Sequence, residues 1–424
     1  MNINETLAYI HSVSNFFCRP GLERIGYLCD KLGNPQNELS FVHVAGTNGK
    51  GSFCAMLSSV LRSAGYKTGL YTSPYILEFN ERIMVDGSPI NDNELCEITE
   101  KVKIIADSMN DKPTEFEVIT AIAFEYFKKI KCDIVVLECG LGGRYDATNI
   151  ISKSILSVIT GISIDHTSFL GNTIEKIAGE KAGIIKENGL CLWCSDNEIA
   201  QQVISDECNK RNAKMLKVDN SSLNVKKYDL SATVFDYKAY YDIKLPLLGV
   251  FQPLNAINVI SAVEILNSLG YKIDENALKE GIAATVWRAR FEIISQHPLI
   301  IADGGHNAEG ISASVDSIRL YFGSTKVNIV AGVMKDKDYN YIADLISSVA
   351  KKVYCVTPNN PRALGSKEFA NEFIKRGVGA LAFDSVDEAI RIAKNDSLND
   401  SVPLIALGSL YMYKEVFEAV NNAK

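Results

Sequence analysis

The chain has 424 residues, with 44 Lys+Arg against 51 Asp+Glu and a formal net charge of −7. That length suggests two or three domains at about 150 residues each. With 47% hydrophobic and 22% charged residues the chain is globular and not disordered. Mild acidity disfavours a nucleic-acid scaffold, although backbone N–H groups can still bind phosphate. The start, MNINETLAYIHSVSNFF, has no basic stretch before an apolar core, and no apolar run approaches the roughly 20 residues of a membrane span. A cytoplasmic enzyme that engages neither nucleic acid nor membrane is expected.

Short β-branched runs alternate with longer segments of helical periodicity. Phe41-Val42-His43-Val44 predicts a strand entering a Gly-rich turn, and SFCAMLSSVLRSAG after it carries apolar residues at helical spacing. Lys67 to Tyr71 reads as the next strand, ending at Thr72-Ser73-Pro74. Glu115 to Lys129 is helical, and CDIVVLECG and SILSVITG are apolar strands. A helix through Glu175–Lys186 and the strand LCLWC follow. Continuous apolar strands in βα repeats predict a mostly parallel sheet covered on both faces. The stretch from Ser221 to Leu248, rich in Tyr, Val and Asp, predicts a small antiparallel appendage, and a helix from Asn255 to Leu269 comes next. A Pro-bearing turn at Gln296-His297-Pro298 precedes LIIADGG, VNIVAGV, KKVYCVT and PLIALGS, which alternate with helices as a second α/β block. The expected boundary lies near residue 295, giving domains 1–295 and 296–424.

Ten cysteines show no framework spacing. The single C-x-x-C, Cys191 to Cys194, lies in an apolar strand, and no second pair completes a zinc cage. Buried, reduced cysteine is the expectation.

Gly46-Thr47-Asn48-Gly49-Lys50-Gly51-Ser52 sits between a predicted strand and a predicted helix. Such a turn presents backbone N–H groups at a helix N-terminus, where free donors and the helix dipole favour anions. Gly49 and Gly51 let the backbone approach phosphates, and Lys50 reaches their outer oxygens. Gly51 stands between Lys50 and Ser52, so the run departs from the generic G-x-x-x-x-G-K-[ST] expression. Its strand–loop–helix setting points to nucleotide binding over a plain glycine turn.

Together HVAGTNGKGS, YTSPYILEFNERI, VVLECGLGGRYDATN and DHTSFLGNTIEKIAGEKAGIIK resemble the successive signatures of the folylpolyglutamate synthase/dihydrofolate synthase family, within the Mur ligase superfamily. The resemblance continues in LPLLGVFQPLNA, WRARFE, ADGGHN, TPNNPRAL and GSLYMYKEV, and covers nearly the whole chain. It implies an N-terminal P-loop ATPase domain and a smaller Rossmann-like C-terminal domain, with ATP and substrates in the cleft between them. It also implies a monomer using ATP, Mg²⁺ and a monovalent cation such as K⁺. The implied reaction phosphorylates a folate or pteroate carboxylate with ATP, and the amino group of L-glutamate displaces the phosphate. A carboxylate repels nucleophiles and lacks a good leaving group, which is why activation is needed; the chemistry relies on charge neutralisation and positioning.

By the same resemblance Gly49, Lys50, Gly51, Ser52, Asn255, Arg290, Asp303 and His306 contact ATP. Ser73, Glu138 and His166 hold Mg²⁺, a hard cation suited to such ligands together with phosphate and water. Glu138 follows four apolar residues, so a merely structural role would leave a buried charge unpaired. The positions expected to carry the chemistry are Lys50, Glu138, His166 and Lys181. Lys181 matches a carbamylated lysine (N6-carboxylysine), a modification that needs the neutral amine promoted by burial. Thr114, Tyr145, Asp146 and Ala147 match the dihydropteroate site of bifunctional members, and Tyr75 and Arg82 lie in the substrate loop. Alone, Asp146 could equally structure its Gly-rich turn.

The chain departs from the family pattern in several places. Arg288-Ala289 replaces Pro-Gly in W-P-G-R, Gly179 replaces a frequent Arg, Gly305 an Ala and Tyr75 a His. An extra arginine beside Arg290 leaves open which of the two serves the nucleotide. Rival readings are a monofunctional folylpolyglutamate synthase, a cell-wall peptide ligase, a P-loop ATPase acting on a partner protein, and a non-catalytic nucleotide-binding relative.

Overall fold

In the computed structural model, which describes residues 1–13 and 20–422, the apolar runs become strands, most of them buried along their whole length. Phe41–Ala45 is β1, Thr68–Tyr71 β2, Ile83–Val85 β3, Ser88–Pro89 β4, Ile134–Glu138 β5, Leu156–Ile159 β6, Leu190–Trp193 β7 and Lys214–Lys217 β8. They form one sheet in the order β4-β3-β2-β5-β1-β6-β7-β8. Strands β2, β5, β1, β6, β7 and β8 run parallel, while β3 and β4 fold back antiparallel at one edge.

Register positions the site. Val44 stands opposite Glu138, Ala45 opposite Ile159, and Tyr71 opposite Leu137. The residues that follow these strands therefore emerge level with one another at the carboxyl ends of the sheet, where open parallel α/β sheets bind ligands. Behind the loop after β1, the helix Lys50–Ser63 is buried from Gly51 to Leu61. It packs against the helix Glu275–Ala283, whose Gly281 has no room for a side chain: a Cβ there would lie 2.4 Å from the Cα of Val60.

Farther along, Leu223–Tyr228 (β9), Thr233–Tyr237 (β10) and Tyr240–Leu245 (β11) make a three-stranded antiparallel sheet, β11-β10-β9. Glu292–Gln296 (β12), Leu299–Ala302 (β13), Val327–Ala331 (β14), Ala350–Cys355 (β15), Gly379–Ala382 (β16) and Leu404–Leu407 (β17) form a second α/β sheet in the order β12-β13-β17-β14-β15-β16. Only its β12–β13 pair is antiparallel.

The chain divides into two compact units, Met1–Leu223 with Leu254–Thr285, and Asn224–Pro253 with Val286–Lys424. This differs from the single cut expected at 295. The small antiparallel sheet groups with the second unit, where Leu230 and Leu248 join its core and Tyr228 packs on Tyr321. Residue 295 falls inside β12, and His297-Pro298 is the tip of a hairpin, not a linker. A Pro-bearing turn looks alike in both cases; the strand it pairs with decides. The nine described cysteines are free and buried, as expected, and Cys18 lies outside the described residues.

Gly281→Ala should destabilise the protein by about 2 kcal/mol. Backbone-to-backbone overpacking against Val60 outweighs the gain of about 1 kcal/mol from better helix propensity. Urea unfolding would check this; an unchanged or raised midpoint would mean that the two helices separate freely.

Candidate functional site

The loop after β1 is shaped by close approaches that glycine alone permits. A Cβ on Gly46 would sit 1.8 Å from Thr160 Oγ1, and one on Gly49, at φ +86°, would sit 2.6 Å from Asn255 Oδ1. The Thr160 hydroxyl donates to the Asn48 carbonyl at 2.7 Å, tying the loop to the end of β6. Gly49 caps the helix Lys50–Ser63, so the N–H groups of its first turn face the loop, and Ser52 is buried beside them. Lys50 Nζ donates back to the carbonyls of Gly46 and Thr47 at 3.0 and 3.2 Å. Lys181, 4% exposed, donates to the same Gly46 carbonyl at 2.7 Å. Burial first, and the neighbouring Lys50 charge second, bring the Lys181 amine down to about 7.

Beside this loop the Ser73 N–H donates to Glu138 Oε2 at 3.3 Å, and Arg82 Nη1 donates to Ser73 Oγ at 3.1 Å. Glu138 is buried. The Arg82 guanidinium lies over the rings of Tyr75 (5.2 Å) and Phe79 (5.8 Å), and its Nε is buried without a partner. His166 has φ +50°, takes its backbone bond to Asp165 Oδ1 at 2.8 Å, and exposes its ring. Ser73 and Glu138 are thus brought together, whereas the His166 ring is placed beside Asp165, its Nε2 3.9 Å from Oδ2. A Mg²⁺ ion that also takes phosphate oxygens and waters needs only one or two protein carboxylates. The buried Glu138 with an adjacent seryl oxygen fits that demand.

In the GGRYDATN run, Asp146 caps the turn Ala147–Ile150. Its oxygens accept from Leu141 N–H, Thr148 N–H and the Thr148 hydroxyl, and burial pushes its carboxyl upward. A carboxylate has about four acceptor sites, so most are occupied by its own turn. Thr114 forms a capping box with Glu117 at the start of the helix Glu115–Ile130, and Glu117 in turn pairs with Arg24 at 3.0 Å. Ala147 is buried and Tyr145 is exposed.

Asn255 lies in the first unit, in the helix Gln252–Ser268. In the second unit Asp303 Oδ2 accepts from Phe291 N–H at 2.7 Å. Its Oδ1 accepts from Gly305 N–H and from the Ser314 hydroxyl, each at 2.8 Å. His306 Nδ1 lies 3.0 Å from the Gly304 carbonyl. The two arginines of the WRAR turn part ways: Arg288 Nη1 is 3.2 Å from Glu292 Oε1, while Arg290 Nη1 donates to the Ala289 carbonyl at 3.2 Å. The sequence reading missed Thr160 and Glu292. A threonine ending an apolar strand, and an acidic residue two positions after an arginine pair, were the available signals.

The family description "Mur ligase middle domain" matches residues 44–263, and "Mur ligase, glutamate ligase domain" matches residues 289–409. The dihydrofolate synthase/folylpolyglutamate synthase of Bacillus subtilis is 36% identical, over 96% of this chain and 97% of that protein. The chain belongs to the folylpolyglutamate synthase/dihydrofolate synthase family of Mur ligases. A folylpolyglutamate synthase of Lacticaseibacillus casei, another relative, is 35% identical over the full length of both chains. The structure of E. coli FolC in complex with DHPP and ADP superposes with a TM-score of 0.87 at 28% identity, covering 100% of this chain and 98% of that one. The match to the middle-domain description includes the whole Gly46–Ser52 loop, Glu138 and Lys181, the residues that geometry gathers in this family member.

Lys181 makes stability depend on pH with a definite sign. The unfolded chain holds this proton up to the ordinary 10.5, and the folded chain only up to about 7. Between those values the unfolded state binds more protons, so folding becomes more favourable as pH rises. In bicarbonate-free buffer, wild type should gain stability relative to Lys181→Met from pH 7 to 10, measured by urea midpoints. Parallel pH profiles would show that the Lys181 amine is not depressed.

Proposed function

We propose that this chain is an ATP-dependent ligase that joins L-glutamate to folates, and also to dihydropteroate, through an acyl phosphate. The observation that carries the reading is the convergence at the carboxyl end of the parallel sheet of a glycine loop at a helix N-terminus, two lysines on the Gly46 carbonyl, and the Ser73–Glu138 pair. Relatives named dihydrofolate synthase/folylpolyglutamate synthase and folylpolyglutamate synthase support the acceptor class. The FolC complex with DHPP and ADP supports a site that takes a second ligand beside the nucleotide.

In this reading the N–H groups of Gly49, Lys50, Gly51 and Ser52 hold the nucleotide's phosphates, and Lys50 turns from its loop carbonyls to their outer oxygens. Ser73, Glu138 and His166 would hold Mg²⁺, which supplies charge neutralisation at the transferring phosphoryl group. Lys181, whose pKa is lowered to about 7, is suited to carbamylation: the neutral amine forms an N–C bond to CO₂ and releases one proton to solvent, leaving a carbamate anion beside the loop. Arg82 keeps an unpartnered buried Nε for the substrate acid, and Tyr75 presents a ring for a pterin or aryl group. Asp146, Thr114, Tyr145 and Ala147 shape the pterin end, with Asp146 acting chiefly through the turn it caps. Asn255, Arg290, Asp303 and His306 are the further nucleotide contacts, and a monovalent cation such as K⁺ completes the cofactor set. The protein works as a cytoplasmic monomer that needs neither nucleic acid nor membrane; among the described residues no helix is long and apolar enough to cross a membrane.

Mass analysis of products from ATP, Mg²⁺ and glutamate should show a gain of glutamate on both dihydropteroate and tetrahydrofolate. With oxygen-18 in the acceptor carboxyl, label should appear in the released phosphate. Growth of tetrahydrofolate alone would make the enzyme monofunctional, and unlabelled phosphate would exclude the acyl phosphate. Lys181 should gain the mass of one CO₂ in bicarbonate, detected by native mass analysis, and Lys181→Arg should not.

A further inference from the structure

The WRAR turn of the second unit holds two non-glycine residues in the left-handed region, Ala289 at φ +56° and Phe291 at φ +48°. Such conformations persist only where surroundings over-determine them. In the family pattern that Trp287-Arg288-Ala289-Arg290 resembles, proline and glycine occupy the second and third places. Proline presets its own φ and glycine relieves strain at positive φ. This chain has neither, yet Ala289 is fully buried in the left-handed conformation.

One carboxylate holds this turn. Glu292 Oε2 accepts the Ala289 N–H at 2.8 Å and the Tyr413 hydroxyl at 2.6 Å, and Glu292 Oε1 accepts Arg288 Nη1 at 3.2 Å. The Arg288 guanidinium lies 5.0 Å from the centre of the Phe417 ring, and Phe417 stacks on Tyr413 at 6.0 Å. Three donors thus converge on one side chain, two of them braced by the helix Tyr413–Asn422. On the other side of the turn the Ala289 carbonyl accepts Gly304 N–H at 2.9 Å, and Phe291 N–H bonds to Asp303. Arg290 lies between these anchors, with its guanidinium folded onto the Ala289 carbonyl.

We infer that Glu292, clamped by Arg288 and Tyr413, is a positioning residue that holds the Ala289 turn and so aims Arg290 at the nucleotide. External hydrogen bonds to a charged acceptor hold this turn in a chain that has neither proline nor glycine at its second and third places. Arg288 is consequently a brace and not a second phosphate ligand. The inference rests on the reading of Arg290 as a nucleotide contact.

The test compares Glu292→Ala, Arg288→Ala, Arg290→Ala and the double variant Glu292→Ala/Ala289→Gly. Its readouts are ADP affinity by calorimetry, KM for ATP and for tetrahydrofolate, and melting temperature. Hydrogen bonds to charged groups carry enough free energy that losing the clamp should weaken ADP binding about tenfold. KM for ATP should rise with KM for tetrahydrofolate unchanged, Arg288→Ala should show a smaller effect of the same kind, and Ala289→Gly should restore most of the loss. If Arg290→Ala leaves ADP affinity unchanged, the nucleotide role of Arg290 fails. If Arg290→Ala weakens ADP binding but the folded Glu292→Ala or Arg288→Ala protein lowers only the melting temperature, the positioning role fails. Failure of Ala289→Gly to rescue would equally overturn it, because the effect would not pass through the turn. Should Glu292→Ala not fold, Arg288→Ala with and without Ala289→Gly decides by the same criteria.

Discussion

Lys50 and Lys181 both donate to the carbonyl of Gly46, and the geometry of the glycine loop in the first unit is organised around this sharing of one peptide oxygen. Two ammonium groups cannot both stay charged so close together in a buried place without cost. Burial first, and the neighbouring Lys50 charge second, lower the pKa of Lys181. The arrangement requires the loop to lie tightly against β6, which Gly46 permits and the Thr160 hydroxyl secures. Any side chain at 46 would push the loop away from both lysines at once.

Satisfaction of hydrogen bonds separates the roles of the acidic residues. Asp146 and Asp303 look equally functional in their motifs, yet each has three acceptor positions occupied by neighbouring groups. Both shape the backbone on which other groups are presented. Glu138 accepts the Ser73 N–H at the end of an apolar strand, where a hard oxygen ligand stands in the place proposed for Mg²⁺. Glu292 belongs with the first two in kind, but beside the local Ala289 N–H and Arg288 it takes the Tyr413 hydroxyl of a helix distant in sequence. That couples a turn to a packing surface.

Much of this was legible locally. The runs Phe41–Ala45, Ile134–Glu138 and Leu156–Ile159 announce themselves by continuous apolar character, and Gly46–Ser52 by its glycines between strand and helix. The family resemblance named Ser73 and Glu138 together, and the strand pattern already put both at or just beyond strand ends. The domain division was not legible. The segment Asn224–Pro253 leaves the first unit and packs with the second, and Gln296-His297-Pro298 turns back into a hairpin. Neither fact leaves a local trace, because each is decided by which distant surface covers the apolar face.

The amino-acid order by itself determined the strand–loop–helix unit, the alternation that builds parallel sheets, and the residue types available for phosphate, metal and acid. Those follow from periodicity, backbone freedom and side-chain chemistry, which act over a few positions. Only the tertiary structure decided that Lys181 meets Lys50 across 131 positions of sequence, that Arg288 is engaged by Glu292 while its neighbour Arg290 is not, and that Ala289 can stand where glycine is easier. These outcomes depend on desolvation and on partners brought from far along the chain, and such energies exist only after the chain has folded.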